Sequence, residues 1–117
     1  MFTISINLTD HSTAENLYVA PPVACRLIKA DHALYTVIDV ANSVITFSDG
    51  TTTIGIVTVA IASVAEGDCD HIVLDTTSLG KVALGPDTPL KIALNGGPTS
   101  TGQGILVLTF DEFHSDV

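Results

Sequence analysis

The strongest constraint on this chain lies toward its C-terminal end. Two apolar runs, Leu90-Lys91-Ile92-Ala93-Leu94 and Ile105-Leu106-Val107-Leu108-Thr109-Phe110, are separated by Asn95-Gly96-Gly97-Pro98-Thr99-Ser100-Thr101-Gly102-Gln103-Gly104. A stretch with four glycines and a proline is not helical, and the runs it joins are short. The pattern is strand, wide turn, strand, which places the chain in the all-β class.

The rest of the sequence agrees. Phe2, Ile4, Ile6 and Leu8 alternate with Thr3, Ser5, Asn7 and Thr9, the period of two of a half-buried strand. Residues 10–16 are a polar connector. Leu17 to Ala20 is a short strand stopped by Pro21-Pro22, because two residues without a backbone donor do not fit inside a ladder. Strands are expected over Val23 to Lys29, Leu34 to Val40 and Val44 to Ser48, the first two parted by Asp31-His32. Asp49-Gly50 is a two-residue hairpin signal leading to a strand from Ile54 to Val64. In that strand Val57, Val59 and Ile61 share one face, and Thr58, Ala60 and Ala62 offer small side chains on the other. Shorter strands follow at His71 to Leu74 and Val82 to Leu84, with Gly85-Pro86-Asp87-Thr88-Pro89 as punctuation. Nine or ten short strands without a helical period predict a single-domain antiparallel β-sandwich, jelly-roll-like, over residues 1–110. Residues 111–117 read as an acidic C-terminal extension, frayed or pinned to a neighbour through Phe113.

At 117 residues the chain makes one domain with one core. Its 46% hydrophobic content and mean hydropathy of +0.48 are high beside 15% charged residues, which points to apolar surface reserved for a partner. Four basic residues, Arg26, Lys29, Lys81 and Lys91, stand against 13 acidic ones, for a net charge of −9. Scattered cations without aromatic interleaving exclude a nucleic-acid partner. No apolar run is long enough for a spanning helix, and the N-terminal segment reads as a strand without the basic start of a leader, so no membrane partner is expected and synthesis is assigned to the cytoplasm. Cys25 and Cys69 have no CxxC spacing and are read as buried free thiols, a bridge remaining open if their strands are adjacent.

Asp68-Cys69-Asp70-His71, with Asp75 nearby, is the one cluster of potential metal ligands. On a strand Cys69 and His71 share a face and Asp68 and Asp70 the other, so two ligands converge where zinc needs three or four; the segment is read as a solvated acidic turn, with no metal and no cofactor. It also lacks the alternating oxygen ligands of a calcium loop. The four histidines, His11, His32, His71 and His114, are read as scattered surface residues. No serine or cysteine sits in a nucleophile motif, so no enzyme is expected. The loop from Gly96 to Gly104 is no phosphate cradle, since a strand and not a helix follows it. A chain without tryptophan has few platforms for sugar stacking.

The glycine loop Asn95 to Gly104, Tyr18-Val19-Ala20-Pro21-Pro22-Val23-Ala24, the passage from Asp39 to Phe47, Thr58-Val59-Ala60 followed by Ala65-Glu66-Gly67-Asp68, and Pro89-Leu90-Lys91-Ile92 together resemble small β-sandwich virion proteins of tailed bacteriophages, in particular head decoration, or cement, proteins. Cys25 departs from the pattern, which favours glycine there. The resemblance implies a structural protein that binds the major capsid protein on the outside of a phage head as a homotrimer and stabilises it. A tail or head-fibre adhesin that binds a host glycan or receptor is the alternative. Contact residues are expected in the adaptable loop, at Gly96, Gly97, Pro98, Thr99, Gly102 and Gly104, in the N-terminal strand, at Phe2 and Ile4, and at Phe113.

Overall fold

The computed structural model describes residues 1–9, 13–36, 38, 42–59, 69–75, 82–97 and 102–112, for residues 35 and 36 the backbone only. Among them there is no helix. Nine strands follow in order: β1 (Phe2–Leu8), β2 (Glu15–Val19), β3 (Cys25–Thr36), β4 (Ser43–Ser48), β5 (Thr53–Val59), β6 (Cys69–His71), β7 (Val73–Leu74), β8 (Leu90–Leu94) and β9 (Gln103–Glu112). They form two antiparallel sheets, ordered β1-β9-β3-β6 and β2-β8-β4-β5-β7.

The two orders have one origin. If the chain is folded back on itself as a long ribbon, β1 meets β9, β2 meets β8, β3 meets β6 and β4 meets β5, and each of these pairs is present. Rolling the ribbon sends alternate pairs to opposite sheets and brings β9 beside β3 and β8 beside β4. That is the jelly roll, an antiparallel two-sheet sandwich.

The core between the sheets follows from alternation. Leu90, Ile92 and Leu94 of β8 point inward opposite Ile45 and Phe47 of β4, while Lys91 and Ala93 point out. Val57 and Val59 of β5 are buried as their spacing predicts. Leu106, Leu108 and Phe110 do the same in β9, and Phe2 stacks on Phe110 with ring centroids 5.1 Å apart. Phe47 and Phe110 are the largest side chains fully removed from solvent.

β3 departs from the expected pair of strands. It is one strand of 12 residues, running through Asp31-His32. Its pairing with β9 slips between Leu27 and Lys29, so Ile28 is an extra residue and the inward parity changes. Cys25 and Leu27 face the core before the slip, and Ala30, His32 and Leu34 after it. The bulge therefore turns His32 inward, where it is fully buried rather than on the surface. Its imidazole fills the space in which a side chain at Gly104 would have to stand.

Three further expectations are corrected. The β4–β5 hairpin is closed by four residues, 49–52, because Ser48 pairs with Thr53. Asp49 Oδ1 accepts the backbone N–H of Thr52 at 2.6 Å and of Thr51 at 2.9 Å, and these bonds shape the wider turn. Val82 to Leu84 forms no strand; Leu84 and Cys25 exchange backbone hydrogen bonds of 2.9 and 2.8 Å as an isolated bridge. β9 continues through Asp111 and Glu112, where Arg26 Nη2 donates to Asp111 Oδ2 at 3.1 Å, so the strand domain passes the boundary expected at 110.

The segment expected as one strand, His71 to Leu74, is split because it changes sheets. β6 pairs with β3; Ile72 N then donates to Ala30 O at 2.9 Å; β7 pairs with β5, and Asp75 N donates to Ile54 O at 2.8 Å. This crossing closes one side of the sandwich. Gly55 permits it, since a Cβ there would stand 2.7 Å from Val73 O and 2.8 Å from Ile72 Cγ1. The opposite side, between the edges of β1 and β2, has no such strand among the described residues.

Candidate functional site

That open side carries one of the apolar rows that the fold leaves incompletely covered; Ile56 and Val73, beside the closed side, are exposed as well. Phe2, Ile4 and Ile6 of β1 and Leu17 and Val19 of β2 pack on the core yet remain half-buried. β1 and β2 are the edge strands of their sheets, so neither has a further strand beside it among the described residues. At the closed side β5 approaches β3 and β6 within 8 Å between Cα atoms, and β1 and β2 nowhere come that close to each other. An apolar row bordered by two edge strands is a surface built for contact.

One end of this side gathers the glycine loop and the β1–β2 connector. Leu8 is in register with Gly104, and Gln103 Nε2 donates to Thr9 O at 3.5 Å. Asn95 anchors the start of the loop: its N–H donates to Val44 O at 3.1 Å, and its Oδ1 accepts from Val44 N at 3.0 Å and from Gly97 N at 3.1 Å. Gly96 has φ of 70°, and a Cβ on it would press into the backbone of Thr13 and Ala14. Gly96 is thus packed against the backbone of Thr13 and Ala14.

The expected contact residues divide accordingly. Phe2 and Ile4 lie on the open side, and Gly96 and Gly97 are half-buried at its end. Gly102 and Gly104 are buried, and a side chain at Gly104 would run into His32. Pro98, Thr99 and Phe113 lie outside the described residues. Ile6, Leu17 and Val19 were not singled out from the sequence, although Ile6 continues the alternation that marked Phe2 and Ile4.

The cysteines part company. Cys25 is a buried free thiol, and its burial, together with the nearby Glu112 carboxylate, pushes its pKa up, which keeps it protonated. Cys69 is free as well but exposed, a correction that follows from its place on the edge strand β6.

Beside Cys69 the register sets His71 against Asp31, with Nδ1 and Oδ1 2.6 Å apart, and Lys29 Nζ stands 3.4 Å from Asp31 Oδ2. His71 and Lys29 are exposed, so this is a solvated surface network. Asp68 lies outside the described residues. Among the described residues no group of three or more His, Cys, Asp or Glu side chains is arranged to hold a metal ion, and no helix is long and apolar enough to cross a membrane.

A cleft of about 370 Å³ lies on the outer face beside β7, lined by Thr53, Gly55, Ile56, Thr58, Val73, Leu74 and Asp75. It is shallow and contains no aromatic ring. Tyr18, 62% exposed, stands on β2 at the far edge of the same sheet. Among the described residues, Tyr18 and this cleft lie at opposite edges of the sheet.

Compared with known proteins, the chain matches no family model, no curated protein and no solved structure.

Proposed function

We propose that this chain is a structural virion protein, a capsid decoration protein that binds the outside of a phage head and stabilises it. The observation that carries the reading is the open side of the jelly roll, an apolar row of β1 and β2 between two edge strands. The resemblance of the glycine loop and the Pro21-Pro22 region to such proteins supplies the partner, the major capsid protein, and a three-fold arrangement on the assembled head. A protein that binds only the assembled shell stabilises it by mass action. The absence of a ring from the described cleft weighs against the glycan-binding alternative.

Quantitative mass spectrometry of purified virions tests the proposal. The chain should be present at a fixed ratio to the major capsid protein and should remain with heads after tails are removed. Recovery with the tail fraction, or absence from virions, would move the assignment to an adhesin or outside the particle.

A further inference from the structure

Of the four edge strands among the described residues, three are blunted. β6 and β7 have three and two residues, and β2 begins with Glu15 and is followed by Pro21-Pro22. Short edges, charges and prolines are the usual protections against strand pairing. β1 has none of them. Its seven residues, Phe2 to Leu8, include no charged residue and no proline, and it pairs with β9 without a bulge.

We infer that the free edge of β1 pairs with β1 of a second copy of this chain, antiparallel about a two-fold axis at Ser5, joining two four-stranded sheets into one of eight. The sequence of the strand is self-complementary in this register. Phe2 falls opposite Leu8 of the second copy and Ile4 opposite Ile6, all on the core face; Thr3 falls opposite Asn7, and Ser5 opposite Ser5, on the outer face. A two-fold contact requires such a match of one surface to itself, and strand addition supplies the backbone partners.

Charge points to the same occupant. Two chains of net charge −9 repel, and along β1 they meet without facing one charged side chain with another. Area sets the strength. Seven residues at roughly 3.3 Å each give a side about 23 Å long. With a sandwich of comparable depth, the dimer buries on the order of 1,000 Å², the lower limit for a specific contact, which places it among weak, reversible associations. This inference holds whether or not the capsid reading does, and it concerns the free protein, separate from any three-fold arrangement on a head.

Thr3, Ser5 and Asn7 are exposed, so charges placed there spare the core. The test uses two variants, Thr3→Lys/Ser5→Lys/Asn7→Lys and Thr3→Glu/Ser5→Glu/Asn7→Glu, in analytical ultracentrifugation from about 1 to 100 μM. The unaltered chain should sediment at twice its 12.2 kDa mass at the upper concentrations and dissociate on dilution. Each variant should associate at least tenfold more weakly, because like charges then face each other across the seam. The lysine variant lowers the net charge from −9 to −6, so its dissociation is not a consequence of general repulsion. An equimolar mixture of the two should restore a one-to-one dimer. Circular dichroism verifies folding, and if a triple variant unfolds, Ser5→Lys and Ser5→Glu carry the same test. A monomeric or trimeric unaltered chain, homodimers in both variants, or a mixture that stays monomeric would overturn the inference.

Discussion

The imidazole of His32 occupies the place where Gly104 has no side chain. The two residues lie on neighbouring strands of one sheet, and His32 reaches the core because the bulge at Ile28 changes the parity of β3. A buried histidine and a glycine inside a strand, each unfavourable in isolation, are here one packing unit.

Gly104→Ala should therefore destabilise the fold by about 1–3 kcal/mol, the range for overpacking a filled core. Urea unfolding measures it. His32→Ala should relieve part of the clash, so the double variant should be more stable than the sum of the two single changes implies. Additive losses would show that the two positions do not share space.

Truncation should separate the two stacked rings. Phe110 is fully buried, and Phe110→Ala should cost about 3–5 kcal/mol. Phe2 is half-buried on the open side, so Phe2→Ala should cost less, although it removes the same ring contact, worth roughly 0.5–1.5 kcal/mol. Equal losses would contradict the open side.

How much of this was legible depended on whether alternation survived. In β1, β4 and β8 it runs unbroken, so the strands and their inward residues follow from the sequence. In β3 one extra residue reverses the parity, which made Asp31-His32 look like a turn and His32 like a surface residue. The crossing at Ile72 breaks alternation for another reason, since the chain there leaves one sheet for the other. Phe2 and Ile4 of the candidate site were visible as an apolar face, but their exposure depends on β1 being an edge strand. Strand order is a property of the rolled ribbon, which no local spacing records.

The thiols should differ in reactivity. In the native state an aromatic disulfide reagent should modify Cys69 at once and Cys25 only on unfolding. The raised pKa of Cys25 also predicts an alkaline slope. The unfolded thiol ionises near its ordinary 9.0 before the folded one does, so stability should fall as the pH rises from there toward the folded value. Cys25→Ala should remove that slope. Rapid modification of both thiols would place Cys25 outside the core.

Acid should act on the β4–β5 turn. The backbone N–H groups of Thr52 and Thr51 hold the Asp49 carboxyl below its ordinary 3.8, so folding favours its ionised form. That stabilisation is present above 3.8 and is lost as the pH falls through the lower folded value. The melting temperatures of the unaltered chain and Asp49→Asn should therefore converge in acid. A gap that widened with falling pH would have the wrong sign.

Co-sedimentation with undecorated phage heads tests the capsid reading most directly. Purified protein mixed with such heads should pellet with them, saturate at a fixed ratio to the major capsid protein, and raise the temperature at which the heads open. Protein that remains in the supernatant at every concentration, with heads that open at the same temperature in its presence, would contradict the proposed function.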